Sequence, residues 1–123
     1  MDPLWNQLVV AGFREGKPFL GTVDHIGTQY EGEHIATGFG LHLATPLLRE
    51  GWRADLTEAE ARALLLKCME VLFYRDCRTV NNIHIAKITA AGPVIDAPVS
   101  LQTKWDFKAF VDPKAGAENG GSW

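Results

Sequence analysis

The order of its periodic segments constrains the fold of this chain more than any other feature of the sequence. Two segments with helical character, at about 41–49 and 58–74, follow one another directly. Segments typical of β-strands precede this pair and follow it. Because strands and helices do not alternate, the pattern does not predict a parallel sheet built from βαβ units. It indicates antiparallel sheet with helices on one side, an α+β fold.

The second helix has the clearer signature of the two. Thr57 precedes it and Glu60 stands three residues later, which is the capping-box pattern. Glu58 and Arg62 are spaced i, i+4, which suits an ion pair on the exposed side. The first helix contains Pro46, so it is expected to start late, kink or be short. The apolar face of the second helix is formed by Ala61, Leu64, Leu65, Cys68, Val71 and Leu72.

Two hairpins and one further strand are predicted. Their strands cover residues 8–13, 18–23, 27–30, 80–89 and 94–96. The segment 8–13 is continuously apolar, which is typical of a strand that is covered on both faces. A polar turn with a glycine, 14–17, connects it to the second strand.

The charge and the cysteine content of the chain argue against several classes of function. The formal net charge is −3 and no two Lys or Arg residues adjoin, so a nucleic-acid surface is not expected. Cys68 and Cys77 form neither a disulfide framework nor a Cys-x-x-Cys site, which favours a reducing compartment, the cytoplasm or nucleus. No apolar stretch approaches the ~18 residues of a membrane span, so no membrane partner is expected.

Neither a metal nor another cofactor is expected from the sequence. The four histidines match no zinc-binding spacing; they are His25, His34, His42 and His84. The glycines of Gly38-Phe39-Gly40 precede a helix, yet a lone Gly-x-Gly is weak evidence for a phosphate site. Tight packing of strand and helix is the more common use of such glycines. A composition shift near Asp112 predicts a domain over 1–110 and a flexible tail over 111–123.

Several motifs resemble the beta subunits of the 20S proteasome. The hairpin resemblance is carried by Asn6-Gln7-Leu8-Val9-Val10-Ala11-Gly12 and Pro18-Phe19-Leu20-Gly21. The entry into the first helix resembles the family in Ala36-Thr37-Gly38-Phe39-Gly40 with Ala44-x-Pro-Leu-Leu-Arg. Tyr74-Arg75-Asp76, at the end of the second helix, resembles the Arg-Asp junction of the family. The non-catalytic branch called beta type-4 in animals shares Pro-Leu-Trp near residue 5 and the late Trp105-Asp106. The resemblance extends over about 3–107.

This resemblance implies a fold and a set of partners. The fold is a four-layer α-β-β-α sandwich of the N-terminal-nucleophile hydrolase class, of which this chain contains the C-terminal part. The partners are other alpha and beta proteasome subunits in stacked hetero-oligomeric rings. Members of the family carry a first half, with further strands and helices, that has no counterpart here, so Met1 is expected to align with an internal stretch.

The residues that carry catalysis in active members of the family are not matched. Their nucleophile is an N-terminal threonine, whereas residues 1 and 2 are Met and Asp. Leu41 stands where active relatives have a serine. Their Arg-Asp-x-x-Ser-Gly-Gly corresponds to a segment that keeps Asp76 and a hydroxyl at Thr79 but loses both glycines. No catalytic residue is therefore assigned.

Six residues are candidates for subunit contacts or structural roles: Gly38, Gly40, Arg75, Asp76, Trp105 and Phe110. Arg75 and Asp76 either contact a neighbour across a ring or form a local ion pair at the helix end. Trp105, Phe107 and Phe110 either cover an edge of the core or fill a pocket of a neighbour.

Three functional hypotheses follow from the sequence. The first is a non-catalytic structural subunit that supports ATP- and ubiquitin-dependent degradation by its neighbours. The second is a threonine peptidase subunit whose N-terminal half is missing. The third is a fragment that does not assemble, because half a sandwich leaves apolar faces uncovered.

Overall fold

The computed structural model describes Asp2 and residues 4–112, and its elements keep the predicted order. The strands are β1 (Leu8–Arg14), β2 (Lys17–Val23), β3 (Gln29–Glu31), β4 (Ala86–Thr89) and β5 (Gly92–Ile95). The helices are α1 (Gly40–Gly51), α2 (Glu58–Arg75) and α3 (Lys108–Val111). One antiparallel sheet has the order β1-β2-β3, and β4 and β5 form a second one. This mixture of helices and strands agrees with the α+β class, whereas the four-layer sandwich stays a prediction.

The first hairpin has a two-residue turn. Glu15 and Gly16 occupy it with φ of 53° and 79°. Positive φ at both positions matches the right-handed twist of the flanking strands. The residue pair next to such a turn is hydrogen-bonded, so the following pair, Phe13 and Pro18, is not. The missing N–H of Pro18 therefore removes no bond from the β1–β2 ladder.

One face of the first sheet is open. The register places Gly12 opposite Phe19 and Val10 opposite Gly21, so Leu8, Val10 and Phe19 share a face. They are 53%, 51% and 43% exposed, respectively. The prediction that the strand at 8–13 is covered on both faces is therefore wrong for the described chain. The apolar run does mark a sheet surface, but about half of the area of these three side chains stays exposed.

The core lies between the two long helices. Ala44 and Leu48 of α1 pack against Cys68 and Leu72 of α2, and all four are buried. Burial raises the pKa of the Cys68 thiol, which favours its neutral form. Leu20 of β2 lines a cavity of about 470 Å³ together with residues of both helices. Leu20 is on the face of β2 opposite Phe19, so this face of the sheet is the one nearer to the helix pair.

The boundaries of the two long helices test two sequence predictions, the capping box before α2 and the effect of Pro46 on α1. Helix α2 begins one residue after Thr57, and both hydrogen bonds of the predicted capping box are present. Of the three expectations for Pro46, a late start and a short helix are wrong, because α1 runs from Gly40 to Gly51 around it, whereas a kink stays a prediction. Pro46 cannot donate to the carbonyl of His42, but His42 is exposed and its carbonyl can be hydrated. Among the described residues, no helix combines the length and apolar character that crossing a membrane requires.

Ion pairs connect the second sheet to α2. Arg62 pairs with Asp96, and Glu58 accepts two hydrogen bonds from the Lys87 ammonium at 2.9 and 3.1 Å. The predicted pair between Glu58 and Arg62 is therefore replaced by two longer-range pairs. These partners are distant in sequence, so local spacing gives no sign of them.

The second hairpin is shorter than predicted. Strand β4 starts at Ala86 rather than near residue 80, and Ile83 forms only an isolated bridge with Val99. The side chain of Asn81 donates to the Leu101 carbonyl and accepts from the Leu101 N–H. These side-chain bonds satisfy the backbone of Leu101 in place of a strand partner. Ile83 exchanges two backbone bonds with Val99, and the Ile85 carbonyl accepts the Asp96 N–H, outside a regular ladder.

The capping box gives the stability of the chain a predicted dependence on pH. Hydrogen bonds from the Thr57 N–H and hydroxyl, and the Arg53 guanidinium, lower the pKa of Glu60 from 4.5 to about 2. Because the pKa of Glu60 is lower in the folded state, its ionised carboxylate stabilises the fold at pH values above the unfolded-state pKa. This stabilisation is lost as the pH falls toward 2. Glu60→Gln keeps a capping side chain without the charge. We expect its melting temperature to fall less than that of the parent between about pH 5 and pH 3.

Circular dichroism melts of both chains across this pH range measure the effect. Glu50→Gln is the matched control, since Glu50 is an exposed residue of α1 that makes no ion pair within the described chain. Equal pH slopes for the parent and Glu60→Gln would contradict the assignment of this dependence to Glu60.

Candidate functional site

Gly38 and Gly40 set the start of α1. Gly38 has φ +59°, a conformation that favours glycine, and its N–H donates to Gln7 Oε1 at 3.3 Å. Gly40 is buried, and a Cβ added there would lie 3.6 Å from the Cβ of Ala36 and 3.7 Å from Cδ1 of Leu72. The two glycines thus bring the loop before α1 close to α2. Their role in subunit contact stays a prediction.

The junction at the end of α2 is closed by Asp76. Its carboxylate accepts the Arg78 N–H at 3.0 Å and the Thr79 hydroxyl at 3.1 Å. Arg75 is exposed and forms no ion pair within the part of the chain that the structure describes. The sequence left two interpretations of Arg75 and Asp76 open, and a local ion pair between them was one. The described residues do not form that ion pair. The Arg75 guanidinium points to no described carboxylate and is available to another molecule.

Trp105 lies against the same end of α2. Its ring centroid is 4.9 Å from that of Tyr74 and 5.9 Å from that of Phe73, both edge-on. The indole N–H donates to Thr103 Oγ1 at 3.2 Å. The Tyr74 hydroxyl accepts the Lys104 N–H at 2.7 Å, across 30 residues of sequence. Tyr74 therefore holds the segment with Trp105 beside Arg75.

An open groove of about 810 Å³ lies beside these contacts. Its lining is Val71, Tyr74, Arg75, Trp105 and Phe107. The structure thus brings together two of the six sequence candidates, Arg75 and Trp105. In the sequence, Val71 belongs to the predicted apolar face of the helix and Tyr74 to the junction motif, and neither is among the site candidates. Nothing local shows that a helix-end tyrosine will accept a backbone N–H far along the chain.

The remaining candidates lie elsewhere. Gly38 and Gly40 lie at the same end of the helix pair as the groove, since Gly40 is close to Leu72 of α2, but neither glycine lines it. Asp76 is engaged in its own turn. The backbone of Phe110 belongs to α3, but its side chain lies outside the described residues. The predicted tail falls mostly on residues 113–123, which also lie outside them.

The described residues contain little that resembles a reaction centre. The Thr79 hydroxyl donates to Asp76, which leaves this carboxylate committed to a loop. Nδ1 of His34 is buried and has no hydrogen-bond partner among the described residues. No three His, Cys, Asp or Glu side chains of that part of the chain lie close enough together to hold a metal ion.

Comparison with known proteins adds a family relationship to this geometry. Residues 1–88 match the family described as "Proteasome subunit". Proteasome subunit beta type-4 of Arabidopsis thaliana is 51% identical over 122 residues, which cover 99% of this chain and 49% of that protein. Its counterpart in Xenopus laevis is 48% identical over 113 residues, covering 90% and 47%. Proteasome subunit beta type-7 of Saccharomyces cerevisiae is 37% identical over 115 residues, covering 87% and 43%. The chain spans about half the length of the curated relatives it matches.

Proposed function

This chain belongs to the proteasome subunit family, as its motifs indicated, and we propose that it is a non-catalytic structural part of the 20S core beta ring. The observation that carries the proposal is the surface at the end of α2. There an arginine without a described partner stands beside two exposed aromatic rings, Trp105 and Phe107. Trp, Tyr and Arg are the residues that dominate binding energy at protein interfaces. Such a surface acts by complementarity to a neighbour.

Two positions support a role without chemistry of its own. Leu41, in the first turn of α1, has no hydroxyl. The resemblance to the family implies that active relatives have a serine at this position. The loop after Asp76 retains one hydroxyl, that of Thr79, and it is bonded to the Asp76 carboxylate. These features disfavour the second hypothesis, a threonine peptidase subunit that has lost its first half.

The open sheet face favours one rival reading. Leu8, Val10 and Phe19 remain exposed, and the relatives are about twice as long as this chain. A chain that lacks what covers this face could fail to assemble and remain a fragment. The proposed structural role therefore requires that other protein covers this face.

The proposed partners are other alpha and beta proteasome subunits, and the proposed location is the cytoplasm and nucleus. In this role the chain would position active neighbours and help to close the degradation chamber. ATP- and ubiquitin-dependent degradation would be carried out by those neighbours.

Native gel electrophoresis of a lysate that contains the C-terminally tagged chain tests the proposal. We expect the tag to co-migrate with the band that is active in an in-gel peptidase assay. Arg75→Gln combined with Trp105→Ala should weaken that band, because both side chains form the proposed contact surface.

Arg49→Gln is the control for this experiment, since Arg49 is likewise a basic residue in the last turn of a helix. It should leave the band intact. A tag that runs only as free chain or aggregate, while a full-length relative enters the active band, would overturn the proposal in favour of a non-assembling fragment.

A further inference from the structure

The groove at the end of α2 has the chemistry to hold a specific kind of peptide. We propose that it binds an internal segment of a neighbouring polypeptide in which a Glu or Asp side chain stands beside an aromatic or aliphatic one. This inference rests on the proposed function, since it names the partner segment of a subunit contact. The groove measures about 810 Å³, within the range of about 300–1,000 Å³ typical of ligand sites.

The charge of the groove is complementary to a carboxylate. Arg75 carries the only charge among the five lining residues. Three acidic residues adjoin lining residues in sequence, Glu70, Asp76 and Asp106, and none of them lines the groove. Asp76 accepts two hydrogen bonds from its own loop, and Asp106 lies 4.0 Å from the Lys104 ammonium. A guanidinium offers two parallel N–H groups that match both oxygens of a carboxylate.

The aromatic walls define what must accompany that carboxylate. Trp105 and Phe107 are 58% and 53% exposed, so both rings have apolar surface left to bury. Trp105 is already fixed by its bond to Thr103 and its contact with Tyr74. Rings that are ordered before binding lose little side-chain entropy in a complex. An apolar side chain next to the acidic one fits this arrangement.

The shape of the groove favours an internal segment over a chain end. It is open to solvent and is not a closed pocket. A peptide can therefore lie in it with both ends outside. Acidic and apolar side chains at neighbouring positions then reach Arg75 and the rings, respectively.

A binding titration with end-blocked peptides tests this proposal. The probes are acetyl-Ala-Leu-Glu-Phe-Ala-amide, its Gln counterpart, and the Gln counterpart with a free C-terminal carboxylate. Fluorescence anisotropy of each labelled peptide is followed as the full chain is added. We expect the Glu peptide to bind about tenfold more tightly than the blocked Gln peptide. Arg75→Gln should abolish this difference, whereas Arg49→Gln should keep it.

Three outcomes would overturn the proposal. Equal affinity for the blocked Glu and Gln peptides would remove the carboxylate from recognition. Tightest binding of the peptide with the free C-terminus would assign the groove to a chain end. A roughly tenfold gain in affinity upon Glu118→Gln, a substitution in the tail, would identify the chain's own tail as the occupant.

This titration contains no other proteasome subunit, so it is independent of the native gel. Loss of the peptide preference with intact entry into the active band would overturn the groove assignment alone. A retained preference without such entry would overturn the proposed function alone.

Discussion

Replacing Leu72 with alanine is expected to lower the free energy of unfolding by about 2–5 kcal/mol, the range for buried leucines. Leu72 of α2 is 9% exposed and belongs to the core cluster with Ala44, Leu48 and Cys68. Its Cδ1 also lies against Gly40 at the start of α1. The substitution therefore leaves a cavity where the two long helices meet. Because small domains have only about 5–15 kcal/mol of net stability, this loss removes a large share of it and should shift the urea midpoint of unfolding to a clearly lower concentration.

Urea unfolding followed by circular dichroism measures this effect, with Leu65→Ala as the control. Leu65 is on the same helix and is changed in the same way, but it is 44% exposed. We expect Leu65→Ala to lower the free energy of unfolding by about 1 kcal/mol, because the partly exposed Leu65 side chain buries less apolar area on folding. Equal losses for the two variants would show that the helix interface does not form the core of the chain.

Introducing lysine at Val10 and Phe19 is expected to convert the 123-residue chain from an associating species into a monomer. The two side chains share the open sheet face and line a shallow cavity of about 570 Å³ with Tyr30. Large exposed apolar patches drive association in water. Two ammonium groups on this face would repel each other across any contact between copies. Both positions are about half exposed, so long side chains can reach solvent without disturbing the core.

Size-exclusion chromatography with light scattering gives the mass of each species. Val94→Lys is the control, because Val94 is 52% exposed on a strand of the other sheet. A monomeric parent chain, or an equal effect of Val94→Lys, would show that the open face of the first sheet does not cause association. The same double substitution should also reduce entry into the active band, if other protein covers this face there.

Sequence signals correctly predicted the elements whose formation depends on residues close by in the same segment. The capping box of Thr57 and Glu60 gave the start of α2, and the turn at 14–17 gave the first hairpin. Both are decided within a few residues, where spacing and backbone preference act. The apolar run over 8–13 was recognised as a strand for the same reason.

Two of the errors arose where a distant residue decides. Asn81 bonds the backbone of Leu101, so the strand predicted from residue 80 starts only at Ala86. Glu58 and Arg62 pair with residues of the second hairpin and not with each other. The sequence of a segment gives its own preferences but not the position of its partners.

By itself, the sequence determined the α+β class, the order of elements, the family and two members of the candidate surface, Arg75 and Trp105. Only the tertiary structure decided that these two meet, because the bond from the Lys104 N–H to the Tyr74 hydroxyl spans 30 residues. It also decided that the face of β1 with Leu8 and Val10 is open. Apolar character shows that a surface is favourably buried, but burial itself depends on whether another element is present to cover it.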